Sequence, residues 1–206
     1  MDGTLIDSTA VVERQWHRWA AMHHLDPKRI LAVSHGRKTI DTMREVAPHL
    51  ETNEQDAARF DEAEGRDGVG VAPVSGAAGI LSALRDDQWA VVTSAGAQLA
   101  RIRFQQAGLR LPAVLVSADQ VQRGKPDPEG YLEAARRLGV RQDRCLVIED
   151  TPPGIAAGRA AGMQVLGIGT TVPREALLGA PWIPDLTRLR ITGHDPLTIA
   201  IAHCGD

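Results

Sequence analysis

From about Ser75 onward, short unbroken apolar runs alternate with stretches of helical spacing, the pattern of a parallel α/β sheet. The runs cover residues 89–93, 113–116, 145–148 and 164–168. Each is too short and too continuous for an amphipathic helix, so each reads as a strand buried on both faces. Helices are expected between them at 96–107, 128–138 and 153–161, with Pro128 suited to a first helical turn and Gly139 to a C-terminal stop. Trp182-Ile183 reads as a last short strand, and Trp89 opens a core strand, so neither tryptophan is a site candidate.

Residues 9–67 are patterned differently: apolar positions recur at helical spacing among Ala, Glu, Arg and Gln, with few β-branched runs. They predict several short helices. The Gly/Pro/Val-rich stretch 68–74 reads as the linker that returns the chain to the sheet. The expected organisation is therefore a core of residues 1–8 and 72–206 with an inserted all-helical subdomain of residues 9–71. Arg14, Arg18, Trp16 and Trp19 on the first helix read as packing of that subdomain, with a substrate wall as the alternative.

Composition narrows the function classes. A chain of 206 residues buries a substantial core without needing to oligomerise, so a monomer or weak dimer is expected. A formal charge of −3 with no dense Lys/Arg run argues against a nucleic-acid partner. No segment reaches the length of apolar sequence that crosses a bilayer, and nothing resembles a signal peptide, so no membrane partner and a cytoplasmic setting are expected. Cys145 and Cys204 have neither metal-ligand nor disulfide spacing and read as reduced thiols, Cys145 in the core. His23, His24, His49, His194 and His203 lack a metal-ligand pattern and read as surface residues.

Four separated patches carry candidate chemistry. Asp2-Gly3-Thr4 is an N-terminal turn in its plain reading, yet an acid there can protonate a leaving oxygen and later deprotonate water. Thr93-Ser94-Ala95-Gly96 follows a strand and precedes a helix; Ser is a routine N-cap, but a hydroxyl and backbone N–H groups at that place also suit a phosphate. Gly124-Lys125-Pro126 holds one of only three lysines beside 20 arginines, a point charge in a stiff loop. Glu149-Asp150, directly after an apolar strand, is either an acidic helix start or a pair of oxygen ligands for a cation such as Mg²⁺.

In this order the patches resemble the four motifs of the haloacid dehalogenase superfamily: the D-x-D-G-T-[LV] loop at Asp2-Gly3-Thr4-Leu5, the strand-end Ser or Thr at Ser94, G-K-P-x-P at Lys125, and E-D-[ST]-x-x-G at 149–154. The resemblance implies a Rossmann-like α/β core with a parallel sheet and an inserted helical cap of the C1 type. It implies a phosphomonoester hydrolase with Asp2, Ser94 and Lys125 catalytic, Thr93, Ser94, Ala95 and Lys125 on the phosphate, and Mg²⁺ held by Asp2, Glu149 and Asp150. The first aspartate of that motif, the attacking group, is expected immediately before Met1. The strand that carries it is central in the family's sheet, so its neighbours' edges are expected to be exposed without it.

The cap segment Ser34-His35-Gly36-Arg37-Lys38-Thr39 resembles the H-G-x-[RK]-[TS] loop of family members acting on small sugar and polyol phosphates. It implies substrate contacts from His35, Gly36 and Arg37, with Arg37 clamping an anionic or polyol portion. Two alternatives belong to the same reading. One is an isomerase of the β-phosphoglucomutase type, disfavoured because Val11-Val12 stand where that branch has a histidine. The other is an inactive phosphate-binding protein, if the chain has no attacking aspartate.

Overall fold

The apolar runs form parallel strands with helices on both faces. A computed structural model describes residues 1–202, so the expectations for His203 and Cys204 lie outside the described residues. Strands β3 (Ala90–Val92) and β4 (Val114–Val116) pair in parallel, as do β5 (Leu146–Glu149), β6 (Gln164–Ile168) and β7 (Trp182–Ile183), in that order. Earlier in the chain, β1 (Ile6–Asp7) and β2 (Ala72–Pro73) pair antiparallel and carry the chain out of the sheet region and back.

Among the described residues eight α-helices complete the framework: α1 (Thr9–Met22), α2 (Pro27–Ser34), α3 (Thr39–Val46), α4 (Glu54–Gly65), α5 (Ala77–Ala83), α6 (Ala97–Gln106), α7 (Glu129–Leu138) and α8 (Pro152–Ala160). Strand alternation sorts the core into two layers. Val91 and Leu166 point into an apolar cluster with Leu81, Phe104 and Ile183, the side of α5 and α6. Their neighbours Val92, Val147 and Val165 point into the other cluster, with Tyr131, Ala135 and Ala157 of α7 and α8. Two-faced burial explains why these strands read as continuous apolar runs rather than as alternating ones.

Helices α1 to α4 have a core of their own. Trp16, Trp19, Ile30, Met43 and Phe60 are buried together, and the Trp16 ring lies 4.3 Å from Phe60 and edge-on to Trp19 at 5.6 Å. Local sequence sets the helix starts: Pro27 follows the Asp26 cap, which accepts from the Lys28 N–H at 2.9 Å, and Asn53 with Asp56 forms a capping box on α4. Arg14 makes two hydrogen bonds of 3.0 Å to Asp67, and Arg18 approaches the same carboxylate at 3.5 Å, so both brace α1 against the return linker.

Among the described residues β3–β4 and β5–β6–β7 are separate parallel sheets, so β3 and β5 are not paired with each other, as the expected open edges imply. Two expectations are corrected. Trp182-Ile183 is not the last strand, because β8 (Leu189–His194) and β9 (Leu197–Ile201) follow as a hairpin. Its strands interleave polar with apolar residues over a half-exposed surface, a weaker signal than the buried runs. Cys145 is half-buried rather than in the core, and its thiol donates to the Arg141 carbonyl at 3.4 Å. No helix among the described residues is long and apolar enough to cross a membrane.

Candidate active site

The N-terminal loop turns on Gly3, whose φ of 69° lies in the region that only glycine adopts freely. The turn is held by N–H donation from Leu5 to the Met1 carbonyl at 2.8 Å and from Gly3 to the Ile6 carbonyl at 2.8 Å. A side chain at Gly3 would overlap the Asp150 carboxylate, so the glycine also sets how close this loop comes to the end of β5. There Thr4 Oγ1 donates to Asp150 Oδ1 at 2.7 Å and Thr171 Oγ1 to Asp150 Oδ2 at 2.6 Å. Asp2 accepts from Ser8 Oγ at 2.6 Å.

At the same rim Lys125 forms a buried ion pair with Glu149 Oε1, which also accepts from Tyr131 Oη at 2.7 Å. Glu149 Oε2 accepts from the Asp150 N–H at 3.1 Å and from Thr151 Oγ1 at 3.1 Å. Gly154 makes room for this carboxylate, since a Cβ there would overlap it. Burial alone would push the Glu149 pKa up. The Lys125 ammonium and the Met1 amino group, together with the hydrogen bonds, hold it well below the usual range. Asp150 goes the other way, raised first by burial and then by its neighbour Glu149. Adjacent carboxylates thus have opposite characters, one paired with the Lys125 ammonium and one hydrogen-bonded to two hydroxyls.

Ser94 donates to the Gly36 carbonyl at 2.9 Å, and Thr93 Oγ1 accepts from the Ala95 N–H at 3.1 Å. The first of these contacts joins the sheet to the loop between α2 and α3. Gly36 has a φ of 78°, and a Cβ there would strike Thr151. Lys38 reinforces the junction by donating to the Val121 carbonyl at 2.6 Å, and Asp61 of α4 accepts from the Gly96 N–H at 2.9 Å and from Thr39 Oγ1 at 2.9 Å. The fourth tie is an ion pair of 2.6 Å between Glu64 of α4 and Arg103 of α6, a guanidinium with no exposed surface. Arg103 Nε has no hydrogen-bond partner and lies 3.8 Å from Asp2 Oδ1.

All ten residues singled out in the sequence line one cavity of about 110 Å³ between the helical layer and the sheet layer. Their side chains are not all turned to it as anticipated. Arg37 forms an ion pair with Glu45 of α3, so its charge is already answered and it is not an open clamp for an anion. His35 Nδ1 is hydrogen-bonded to the Leu31 carbonyl at 3.1 Å. Both oxygens of Glu149, expected as a metal ligand, are engaged by Lys125, Tyr131 and the α8 start.

Sequence reasoning missed Asp61 and Glu64, which line the cavity from α4. Burial raises the pKa of both. For Glu64 burial outweighs Arg103, repulsion from Asp2 and Asp61 adds to it, and the value reaches about 7.

Among the described residues no group of three or more His, Cys, Asp or Glu side chains is drawn together to hold an ion. The donors nearest the question are nonetheless all oxygen. Asp150 is a buried carboxylate whose only side-chain partners are two hydroxyls, a setting in which a hard divalent cation would supply the missing positive charge. Asp150 and the Asp2 loop fit such an ion, and Glu149 does not.

The chain is 39% identical to hexitol phosphatase A of Escherichia coli over 176 residues, covering 82% of this chain and 80% of the relative. It is 35% identical to glycerol-1-phosphate phosphohydrolase 2 of Saccharomyces cerevisiae, covering 86% of this chain and 75% of that protein. A solved hydrolase from Pseudomonas syringae superposes with a TM-score of 0.77 at 25% identity, over 90% of this chain and 91% of that one. The family model described as hydrolase, haloacid dehalogenase-like hydrolase, matches residues 1–162. With the four motif segments gathered on one cavity, the chain belongs to the haloacid dehalogenase-like hydrolases.

Proposed function

We propose that the protein is a Mg²⁺-dependent phosphatase that hydrolyses small sugar or polyol phosphate monoesters through an aspartyl-phosphate. One observation carries this reading: Asp2, Ser94, Lys125 and Asp150, far apart in sequence, line a single cavity. The names of the relatives, a hexitol phosphatase and a glycerol-1-phosphate phosphohydrolase, support the same substrate class.

The attacking carboxylate belongs, on this reading, to the residue immediately before Met1. The strand leading to it would pair with the edges of β3 and β5, which are not paired with each other and are both reached by Lys125, through the Val92 carbonyl at 3.5 Å and Glu149. In the first step that carboxylate displaces the alcohol from phosphorus while Asp2 gives the leaving oxygen a proton. In the second, Asp2 takes a proton from water, which cleaves the acyl phosphate and restores the carboxylate.

Lys125, fixed by Glu149, offsets the negative charge of the phosphoryl oxygens, and the Ser94 hydroxyl orients them after releasing the Gly36 carbonyl. Asp150, with oxygen from the Asp2 loop, would hold Mg²⁺, which adds positive charge beside the phosphate. The helices over the cavity keep bulk water from the intermediate.

The test is release of inorganic phosphate from hexitol and glycerol phosphates in the presence of Mg²⁺, beside an isomerisation assay on a hexose 1-phosphate. Release without isomerisation supports the reading. Isomerisation, or no release from a chain that carries an aspartate ahead of Met1, overturns it. The isomerase alternative also meets Val12 on the cavity wall, a side chain that moves no proton.

A further inference from the structure

The side of the cavity that α4 forms has a distinct chemistry. Asp61 and Glu64 stand one turn apart on α4 and both face the space that Asp2 faces. The three carboxyls repel one another: Asp2 acts on Asp61 and Glu64, and Asp61 acts on Glu64. Ser34, at the end of α2, lines the same cavity with its Oγ buried and without a hydrogen-bond partner.

No cation among the described residues stands open on this side. Arg37 is paired with Glu45, Arg103 with Glu64, and the Lys38 ammonium is held by the Val121 and Gln122 carbonyls. The wall therefore offers carboxylate acceptors and a free hydroxyl. An alcohol chain can hydrogen-bond to them, whereas a second carboxylate or phosphate would meet like charge in a poorly solvated space.

We propose that Asp61, Glu64 and Ser34 set specificity at the leaving-group end, accepting an uncharged polyhydroxyl chain and rejecting phosphate esters that bear a second anionic group. The proposal rests on the phosphatase reading, because it takes the phosphoryl group to sit at the Lys125 end. Asp61 acts by charge and as an acceptor, Glu64, whose charge Arg103 answers, as an acceptor, and Ser34 supplies a hydroxyl whose Oγ has no partner in the protein. The discrimination expected from one misplaced like charge is about tenfold or more.

The experiment is calorimetric binding, with Mg²⁺ present, of three probes that cannot be turned over: inorganic phosphate, the phosphonate isostere of a hexitol 6-phosphate, and 3-phosphonopropionate, whose tail is a carboxylate. The hexitol phosphonate is expected to bind about tenfold or more tightly than the carboxylate-tailed probe. Asp61→Asn keeps an acceptor for the Gly96 N–H and removes the charge, so it should narrow that preference about tenfold by strengthening the carboxylate-tailed probe. Ser34→Ala should weaken the hexitol phosphonate several-fold, about the loss of one hydrogen bond, with the carboxylate-tailed probe unmoved. Equal binding of the two phosphonates by the unmodified protein overturns the proposal, as does an unchanged preference in both variants. Failure of inorganic phosphate to bind overturns the phosphatase reading itself, and the proposal falls with it.

Discussion

Replacing Glu64 with Gln tests whether burial or pairing governs the acid that ties α4 to α6. Glu64 is buried against a guanidinium with no exposed surface, and the ion pair alone would lower its pKa. Burial, with repulsion from Asp2 and Asp61, wins instead and lifts the value from 4.5 to about 7. A carboxyl whose folded pKa is raised contributes stability that is present below its unfolded value and lost as pH rises through the folded one. At about 1.36 kcal/mol per unit, the loss between pH 4.5 and pH 7 comes to about 3 kcal/mol. Gln is neutral throughout and still offers Arg103 an acceptor, so it should match the protonated acid. Urea unfolding followed by tryptophan fluorescence should then give coincident stabilities at about pH 4.5. At about pH 8 the variant should be more stable by about 3 kcal/mol. If Glu64→Gln is instead less stable by about 3–5 kcal/mol at about pH 8, the pair outweighs the burial and the reasoning is wrong.

The remaining predictions concern the sheet rim and the loop that meets it. Gly154→Ala would normally favour a helix by about 1 kcal/mol, but its Cβ overlaps Glu149, so urea titration should show a net loss of about 1–3 kcal/mol; a gain would refute the packing argument. Gly36→Ala puts a side chain at a φ of 78° and against Thr151, so about 1–3 kcal/mol of strain should loosen the Ser94 contact and raise KM for the ester with circular dichroism unchanged; an unaltered KM would count against that junction. Asp150→Asn removes a buried anion whose pKa is raised, so stability at neutral pH should not fall, while Mg²⁺ binding by calorimetry should vanish; wild-type Mg²⁺ affinity in this variant would remove Asp150 from the proposed site.

The strands were legible because burial on both faces leaves an uninterrupted apolar run. The reading of 164–168 coincides with β6, and the other three runs differ from β3, β4 and β5 by at most two residues at either end. Helix boundaries were legible where a cap or proline marks them, as at Pro128 and Gly139 around α7. The division into two sheets is a property of neither strand alone; it was expected only from the resemblance, which puts the family's central strand ahead of Met1. The β8–β9 hairpin escaped because it lies on the surface, where Arg190, Thr192 and Thr198 interleave with apolar residues and blur the run.

The site was legible to the extent that its chemistry is written in contiguous motifs. Lys125 and Asp150 each sit in a short, unusual string, and the fold needs only to bring the strings together at one rim. Partner choice was not legible. Glu149 and Asp150 are chemically alike in sequence, and only the fold turns one to Lys125 and the other to two threonines. Arg37 looked like the clamp for substrate because its string is basic, yet Glu45, two turns later in space, answers its charge. Asp61 and Glu64 were invisible for a related reason: acids three apart on a helix rich in Glu and Asp read as solvated charge until α6 is packed against them. A buried acid is costly unless something recovers the cost. Glu64 has Arg103 to offset part of that cost, whereas the acceptor bonds found for Asp61 come from a backbone amide and a hydroxyl. An acid held so weakly at the edge of a cavity has acceptor capacity left over, and hydroxyl groups on a ligand are the chemistry that uses it.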